Sequence, residues 1–201
     1  MQLPENRFKR AIMAGRQQIG LWCSLPGGFA AELLAGSGFN WLLLDTEHSP
    51  GDPLTVLEQL QAVAPYDVSP IVRPASNDTV LIKRFLDMGA QTVLIPYVQS
   101  AEEACAAVAA MHYAPQGVRG VAGTTRATRF GRVEGYHKRA SEELCLLVQV
   151  ETQESLNALE DIAAVDGVDG VFVGPGDLAA SLGYHQTYPR LWQARRHPDI
   201  R

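Results

Sequence analysis

Lysine is scarce in this chain: of 201 residues only Lys9, Lys83 and Lys138 are lysines, and none of them ends an apolar run. A Schiff-base mechanism needs an amine at the mouth of a site, so imine chemistry is disfavoured. Cysteine is sparse too. Cys23, Cys105 and Cys145 are odd in number, far apart and form no CxxC, which argues against a disulfide framework or a zinc site and for buried, reduced thiols. No GxGxxG follows the first apolar run, which weakens a dinucleotide-binding fold. No apolar run approaches the roughly 20 residues of a membrane span, and "MQLPENRFKRAI" at the N-terminus has no apolar segment of the kind that targets secretion. Nor is positive charge in excess: the net charge is −5, so nucleic acid is not the expected partner. These absences point to a cytoplasmic globular protein, 46% hydrophobic and 19% charged, forming a single domain over 1–201.

What is present is an alternation. Short apolar runs at 19–25, 41–45, 69–74, 92–98, 144–151 and 170–175 are separated by helix-like stretches at 28–36, 53–63, 78–88, 101–111 and 153–164. Continuous apolar strands separated by helices predict a parallel sheet covered by helices. Helix starters precede several of the stretches: "GDP" before Leu54, Asn77-Asp78 before Thr79, and Ser100 before Ala101. Gly36, Gly38 and Gly89 mark helix ends. The regular repeat favours a TIM-type (β/α)8 barrel, truncated here after about the sixth strand, since a full barrel needs eight units in roughly 250 residues. The polar tail "YHQTYPRLWQARRHPDIR" is not strand-like. The irregular stretch from Tyr113 to Tyr136 carries Arg119, Arg126, Arg129 and Arg132. It reads as a solvated basic loop, an oligomer contact or a lid over an anionic substrate.

In a barrel, chemistry sits at the C-terminal ends of the strands. Here the second run ends in Asp45-Thr46-Glu47-His48, the third in Arg73, the fifth in Gln149-Val150-Glu151, and the sixth in "VGPGDLAASLG" with Asp177 just beyond it. Glu151 and Asp177 suit a hard divalent cation that keeps positions open for substrate oxygens. The alternative is that each caps the helix that follows it. Arg73 suits a carboxylate or a developing enolate oxygen, and can at the same time bridge to Asp45. His48 is the rim group best able to move a proton near neutral pH, or else a surface imidazole. The remaining histidines, His112, His137, His185 and His197, carry no expected role.

The motifs "FNWLLLDTEHSP", "PIVRPASND", "IKRFLDMGAQTVLIPYV", "GVRGVAGTTRATRFG", "LLVQVET" and "GVDGVFVGPGDLAASLG" make the chain, from about Asn6 to about Gly183, similar to the metal-dependent pyruvate aldolases of the HpcH/HpaI family. That resemblance implies a (β/α)8 barrel in a homo-oligomer, a trimer or hexamer. It also implies Mg²⁺, Mn²⁺ or Co²⁺ held at the positions of Glu151 and Asp177, and pyruvate bound to that cation. Arg73 then matches the arginine that stabilises the enolate oxygen. His48 matches the histidine that handles the proton of the C4 hydroxyl, and Asp45 its orienting carboxylate. Gln149 lies beside pyruvate, and backbone amides near the Gly174, Pro175 and Gly176 turn hold its carboxylate. Asp87 matches a helix carboxylate that reaches the histidine of a neighbouring subunit.

The implied reaction is reversible cleavage of a 4-hydroxy-2-oxo acid to pyruvate and an aldehyde, a lyase step of the kind used in aromatic compound catabolism. Members of the family continue past "HPD" at 197–199 into two further strands, so an open barrel edge is expected. Two other readings stand beside this one. The first is a citrate-lyase-like enzyme acting on an acyl-CoA, which needs a basic groove for the nucleotide. The second is an inactive truncated barrel that serves only as an assembly partner.

Overall fold

The computed structural model describes residues 1–184. Within them the chain begins with α1 (Arg7–Met13), then alternates β1 (Gly20–Cys23), α2 (Gly28–Ala35), β2 (Trp41–Asp45), α3 (Pro53–Ala62), β3 (Ser69–Arg73), α4 (Thr79–Asp87), β4 (Thr92–Ile95) and α5 (Ala101–Met111). After the long loop come α6 (Tyr136–Arg139), one 3-10 turn at Ala140–Glu143, β5 (Cys145–Val150), α7 (Gln153–Asn157), α8 (Leu159–Ala163), β6 (Gly170–Val173) and α9 (Pro175–Ser181). All six strands are parallel and lie side by side in chain order, so the sheet is an open part-barrel. The tail from residue 185 onward, with His185 and His197, lies outside the described residues. Among the described residues no helix is long and apolar enough to cross a membrane.

Strand side chains alternate between two faces with a period of two residues, and the two faces differ in what they touch. Leu42, Leu44, Val72, Val93, Ile95, Leu146 and Val148 face outward and pack beneath the helices. Leu43, Ile71, Leu94, Cys145 and Leu147 face inward and form the barrel interior with Phe172. Phe8 and Ile12 of α1 join that inner cluster. The helix is placed there by Asn6. Its side chain accepts from the Lys9 amide at 3.0 Å, capping α1, while its amide nitrogen Nδ2 donates to Thr92 Oγ1 at 2.9 Å and to the Glu143 carbonyl at 3.0 Å. The other starters act as anticipated: Asp52, Asp78 and Ser100 each accept from an amide three residues on.

Four local readings are corrected. The single helix over 153–164 is two short helices, broken at Ala158, where ψ is 10°. The helix α1 and the short α6 have no counterpart among the expected stretches, because each is too short to carry a clear apolar period, and α9 begins at Pro175, ahead of the start after Asp177 that the capping alternative required. Cys105 is exposed, because the buried positions of α5 are Ala104, Ala107, Ala110 and Met111 and residue 105 points the other way; Cys23 and Cys145 are buried and free. The arginine-rich loop is neither a solvated coil throughout nor a lid over its own rim. Arg126 donates to the carbonyls of Met88 at 2.6 Å and Leu60 at 3.3 Å, and the Ala127 amide donates to the Asp87 carbonyl at 3.0 Å. These are the C-terminal ends of α3 and α4, at the opposite end of the barrel from the strand termini. Arg119 is fully buried against Asp87, while Arg129 and Arg132 are exposed.

Since Phe8 seals the inner cluster at the base, Phe8→Ala should cost about 3–5 kcal/mol. Urea or guanidinium unfolding checks this through the shift in midpoint at constant slope.

Candidate active site

The inward register that is apolar through the middle of the sheet turns polar at the C-terminal end. In β2 it runs Leu43 then Asp45, in β3 Ile71 then Arg73, and in β5 Leu147 then Gln149 and, one step past the strand, Glu151. Asp45 and Arg73 are direct neighbours in the β2–β3 register. Their side chains form a two-point contact, Nε to Oδ1 at 2.9 Å and Nη2 to Oδ2 at 2.8 Å, with both residues buried. Trp22 of β1 completes the setting: its indole donates to Asp45 Oδ2 at 3.3 Å, and the guanidinium carbon lies 4.7 Å from its ring centre. Burial alone raises the Asp45 carboxyl, but Arg73, the Glu47 amide and Trp22 outweigh it and hold the group below its ordinary value.

The third guanidinium nitrogen looks the other way. Arg73 Nη1 is 2.8 Å from Glu47 Oε2 and 3.5 Å from Gln149 Oε1. Gln149 then donates to Glu151 Oε2 at 2.5 Å, and the Tyr97 amide donates to Glu151 Oε1 at 2.8 Å. A continuous polar chain therefore crosses from β1 through β2 and β3 to β5. Glu151 is raised by burial first and by the charges of Glu47 and Asp177; Glu47 is raised by burial, against the pull of Arg73 and His48. Glu47 and Glu151 thus approach each other from different strand ends with the charge of Asp177 nearby, and this crowding adds to burial in raising both glutamates.

The capping alternative fails for both acids. Thr152, not Glu151, caps α7, through a reciprocal bond with Ser155. Asp177 sits in the first turn of α9 behind the cap position of Gly174, which has no side chain to offer. His48 is exposed, its Nε2 3.7 Å from Glu47 Oε1. Gly174 is held against the acids: a Cβ there would lie 2.4 Å from Glu151 Oε2 and 2.9 Å from Gln149 Nε2. The expected amide trio at 174–176 shrinks. Gly174 spends its amide on the Val150 carbonyl at 3.0 Å, and Pro175 has no amide hydrogen, which leaves Gly176. Asp87 is not brought to this rim; it ends α4 at the other pole, accepting from Arg119 at 2.8 Å.

The HpcH/HpaI aldolase/citrate lyase family model matches residues 18–197 of the chain. The chain belongs to the HpcH/HpaI family. A pyruvate aldolase of Rhizobium etli is 68% identical over 200 residues, covering 100% of this chain and 76% of the relative. A hydroxypyruvate/pyruvate aldolase of Sagittula stellata is 60% identical over 184 residues, covering 92% of this chain and 73% of that protein. Among solved structures, an HpcH/HpaI aldolase/citrate lyase family protein of Burkholderia cenocepacia superposes with a TM-score of 0.87 at 39% identity, covering 94% of this chain and 77% of that one. The six parallel strands are those of an HpcH/HpaI barrel that is open at β1 and β6.

Two contributors, Trp22 and Tyr97, lay outside the residues read from sequence, and Glu47 was read at the end of the second run without a role. Glu47 has the same inward parity as Asp45, two positions on, and that parity is the signal that finds it. Trp22 is inward on β1 by the same rule. Tyr97 had no signal, because its part is played by a backbone amide held at φ 56°.

Asp45 holds its proton more weakly folded than unfolded, so its contribution to stability is present above the ordinary carboxylate pKa of about 3.9 and fades as pH falls below it. Asp45→Asn leaves Arg73 buried with only Glu47 beside it, and should cost about 3 kcal/mol at pH 7. The cost should shrink toward low pH, as followed by thermal unfolding between neutral and acid conditions.

Proposed function

We propose that this chain is a metal-dependent aldolase that reversibly cleaves a 4-hydroxy-2-oxo acid to pyruvate and an aldehyde. The observation that carries the reading is the buried Arg73 guanidinium, fixed by Asp45, which faces the Gln149–Glu151 side of the carboxylate cluster. Relatives at 68% and 60% identity that are named for pyruvate and hydroxypyruvate support it.

A divalent cation fits the residues present. Glu151 is buried and Glu47 half-buried, the charge of the exposed Asp177 adds to the repulsion both feel, and a cation of charge +2 relieves it. Among the described residues no group of three or more His, Cys, Asp or Glu side chains stands ready to enclose a metal. Glu151 and Asp177 would hold it between them, leaving positions for the substrate, as Mg²⁺, Mn²⁺ and Co²⁺ sites allow. When bound, the cation supplies Lewis acidity toward the keto group.

The protein's own groups do the rest. Cleavage of the C3–C4 bond leaves charge on the pyruvate oxygen, and Arg73 donates to that oxygen from a position that needs no reorganisation. Asp45 holds the guanidinium in plane. His48 takes the C4 hydroxyl proton as the bond breaks, and returns it in the synthetic direction. Gln149 fixes the Glu151 carboxylate, and the Gly176 amide faces the pyruvate carboxylate. Asp87, far from its own rim, serves the histidine of a second copy, which makes a trimer or hexamer part of the same proposal. The acyl-CoA alternative has less support, since Arg119 and Arg126 of the loop it would draw on turn inward at the base, which leaves Arg129 and Arg132 exposed.

Pyruvate release from a 4-hydroxy-2-oxo diacid should require Mg²⁺ or Mn²⁺ and stop with EDTA; a folded sample that is inert in both conditions favours the assembly-partner reading. Glu151→Gln should lose metal binding, read by calorimetry, with little change in unfolding temperature. In the parent protein metal affinity should weaken as pH falls, and should begin to do so at a higher pH than an ordinary glutamate predicts, because burial raises the Glu151 carboxyl and it takes up its proton sooner. His48→Ala should lower kcat about 100-fold or more while pyruvate still binds.

A further inference from the structure

Asp87 and Arg119 pair in a way that Asp45 and Arg73 do not. Asp87 is the last residue of α4, where the negative end of the helix dipole disfavours a carboxylate. Arg119 lies in the loop after α5, its place set by its amide, which donates to the His112 carbonyl at 2.9 Å. Its side chain is fully buried, yet only one of its nitrogens is used: Nη2 donates to Asp87 Oδ1 at 2.8 Å. Among the described residues Nε and Nη1 have no hydrogen-bond partner. Leaving buried donors of a charged group unsatisfied is costly, and a two-point contact like that of Arg73 would use one more of them.

The guanidinium nevertheless has a fixed direction. Its carbon lies 4.4 Å from the ring centre of Tyr113, which covers one face. Burial pushes the Tyr113 phenol up to about 12, so that ring stays neutral, and among the described residues Asp87 is the one carboxylate bridged to Arg119. The Asp87 side chain is 23% exposed, and its Oδ2 accepts no hydrogen bond among the described residues. Val118 and Val121, on either side of Arg119 in the chain, are exposed, so the loop that holds the pair leaves apolar surface for a second copy to cover. His48, for its part, has no orienting partner at hydrogen-bond range on its own rim: it is exposed, with Glu47 Oε1 3.7 Å away.

We propose that Arg119 is a positioning residue for the cleavage step: it ties Asp87 by one oxygen and so presents the other to His48 of a second copy. The proposal rests on the reading that Asp87 serves that histidine. A carboxylate that accepts from one imidazole nitrogen leaves the other nitrogen free to take the C4 hydroxyl proton, and it stabilises the imidazolium that forms. A two-point contact would occupy both Asp87 oxygens and end that service. With no contact, the carboxylate would be free to turn at the end of α4. A single bond meets both requirements, and this accounts for the two unspent guanidinium nitrogens.

The test measures pyruvate release with Mn²⁺ by variants alone and in mixed assemblies. Arg119→Gln should lower kcat roughly 10-fold to 100-fold, while calorimetry shows Mn²⁺ and pyruvate binding unchanged and the native mass stays that of the parent. Arg119→Lys keeps the charge but not the flat face on Tyr113; it should recover part of the loss, and it carries the test if Arg119→Gln does not fold. Adding either substitution to Asp87→Asn should lower kcat no further than Asp87→Asn alone, since both act through one group. Co-expressed with His48→Ala chains, the Arg119 variants should regain about a quarter of the parent rate, because a competent site takes His48 from one copy and Asp87 from another. Co-expressed with Asp87→Asn chains, they should regain nothing. Arg119→Lys that folds and keeps the parent kcat overturns the proposal. So do Arg119 variants that stay slow beside His48→Ala chains while Asp87→Asn recovers there. If Asp87→Asn also fails to recover, the second-copy role of Asp87 falls and the proposal with it. A parent protein that releases no pyruvate overturns the aldolase reading on which both rest.

Discussion

The two-point contact between Asp45 and Arg73 is the constraint on which the rest of the rim depends. A guanidinium buried to this degree is costly unless it is paired in good geometry, and the β2–β3 register sets the two residues side by side so that it is. With two of its nitrogens tied to Asp45, Arg73 has one left, and that nitrogen faces Glu47 and Gln149. Its direction is therefore fixed by the sheet and not by a flexible side chain. Trp22 covers the guanidinium face and donates to Asp45, which keeps solvent off the pair.

The barrel separates its labour between its poles. At the base, apolar contacts and backbone carbonyls do the holding: Phe8 enters the inner cluster, and Arg126 binds the carbonyls at the ends of α3 and α4. At the rim, the same inward positions carry acids and one arginine. The burial of Glu47 and Glu151 close to each other is a cost in stability that a purely structural strand end has no reason to bear, and which a bound cation would offset. Tyr97 adds a second cost, its left-handed backbone, and the return is an amide on Glu151. Burial, like-charge crowding and a strained backbone residue coincide at the rim.

Much of this was legible in the residue order. The six strands and the helices between them follow from apolar runs and starters such as Asp52, Asp78 and Ser100, because those signals are local. Asp45, Arg73, Gln149 and Glu151 were legible as rim residues because a period of two and a strand end suffice to place them. The break at Ala158 was not legible, since a residue of high helix propensity gives no warning of one.

The sequence by itself determined the parallel strand–helix repeat, the family, and that Asp45, Arg73, Gln149 and Glu151 reach the rim, since these depend on periodicity and motif alone. Only the tertiary structure decided what each of them touches. Whether Glu151 caps a helix or joins the carboxylates, whether Arg119 and Arg126 meet solvent or the protein interior, and whether Gly174 still has an amide to give all depend on contacts between segments far apart in the chain. Such contacts arise from strand register and packing, and no local pattern encodes them.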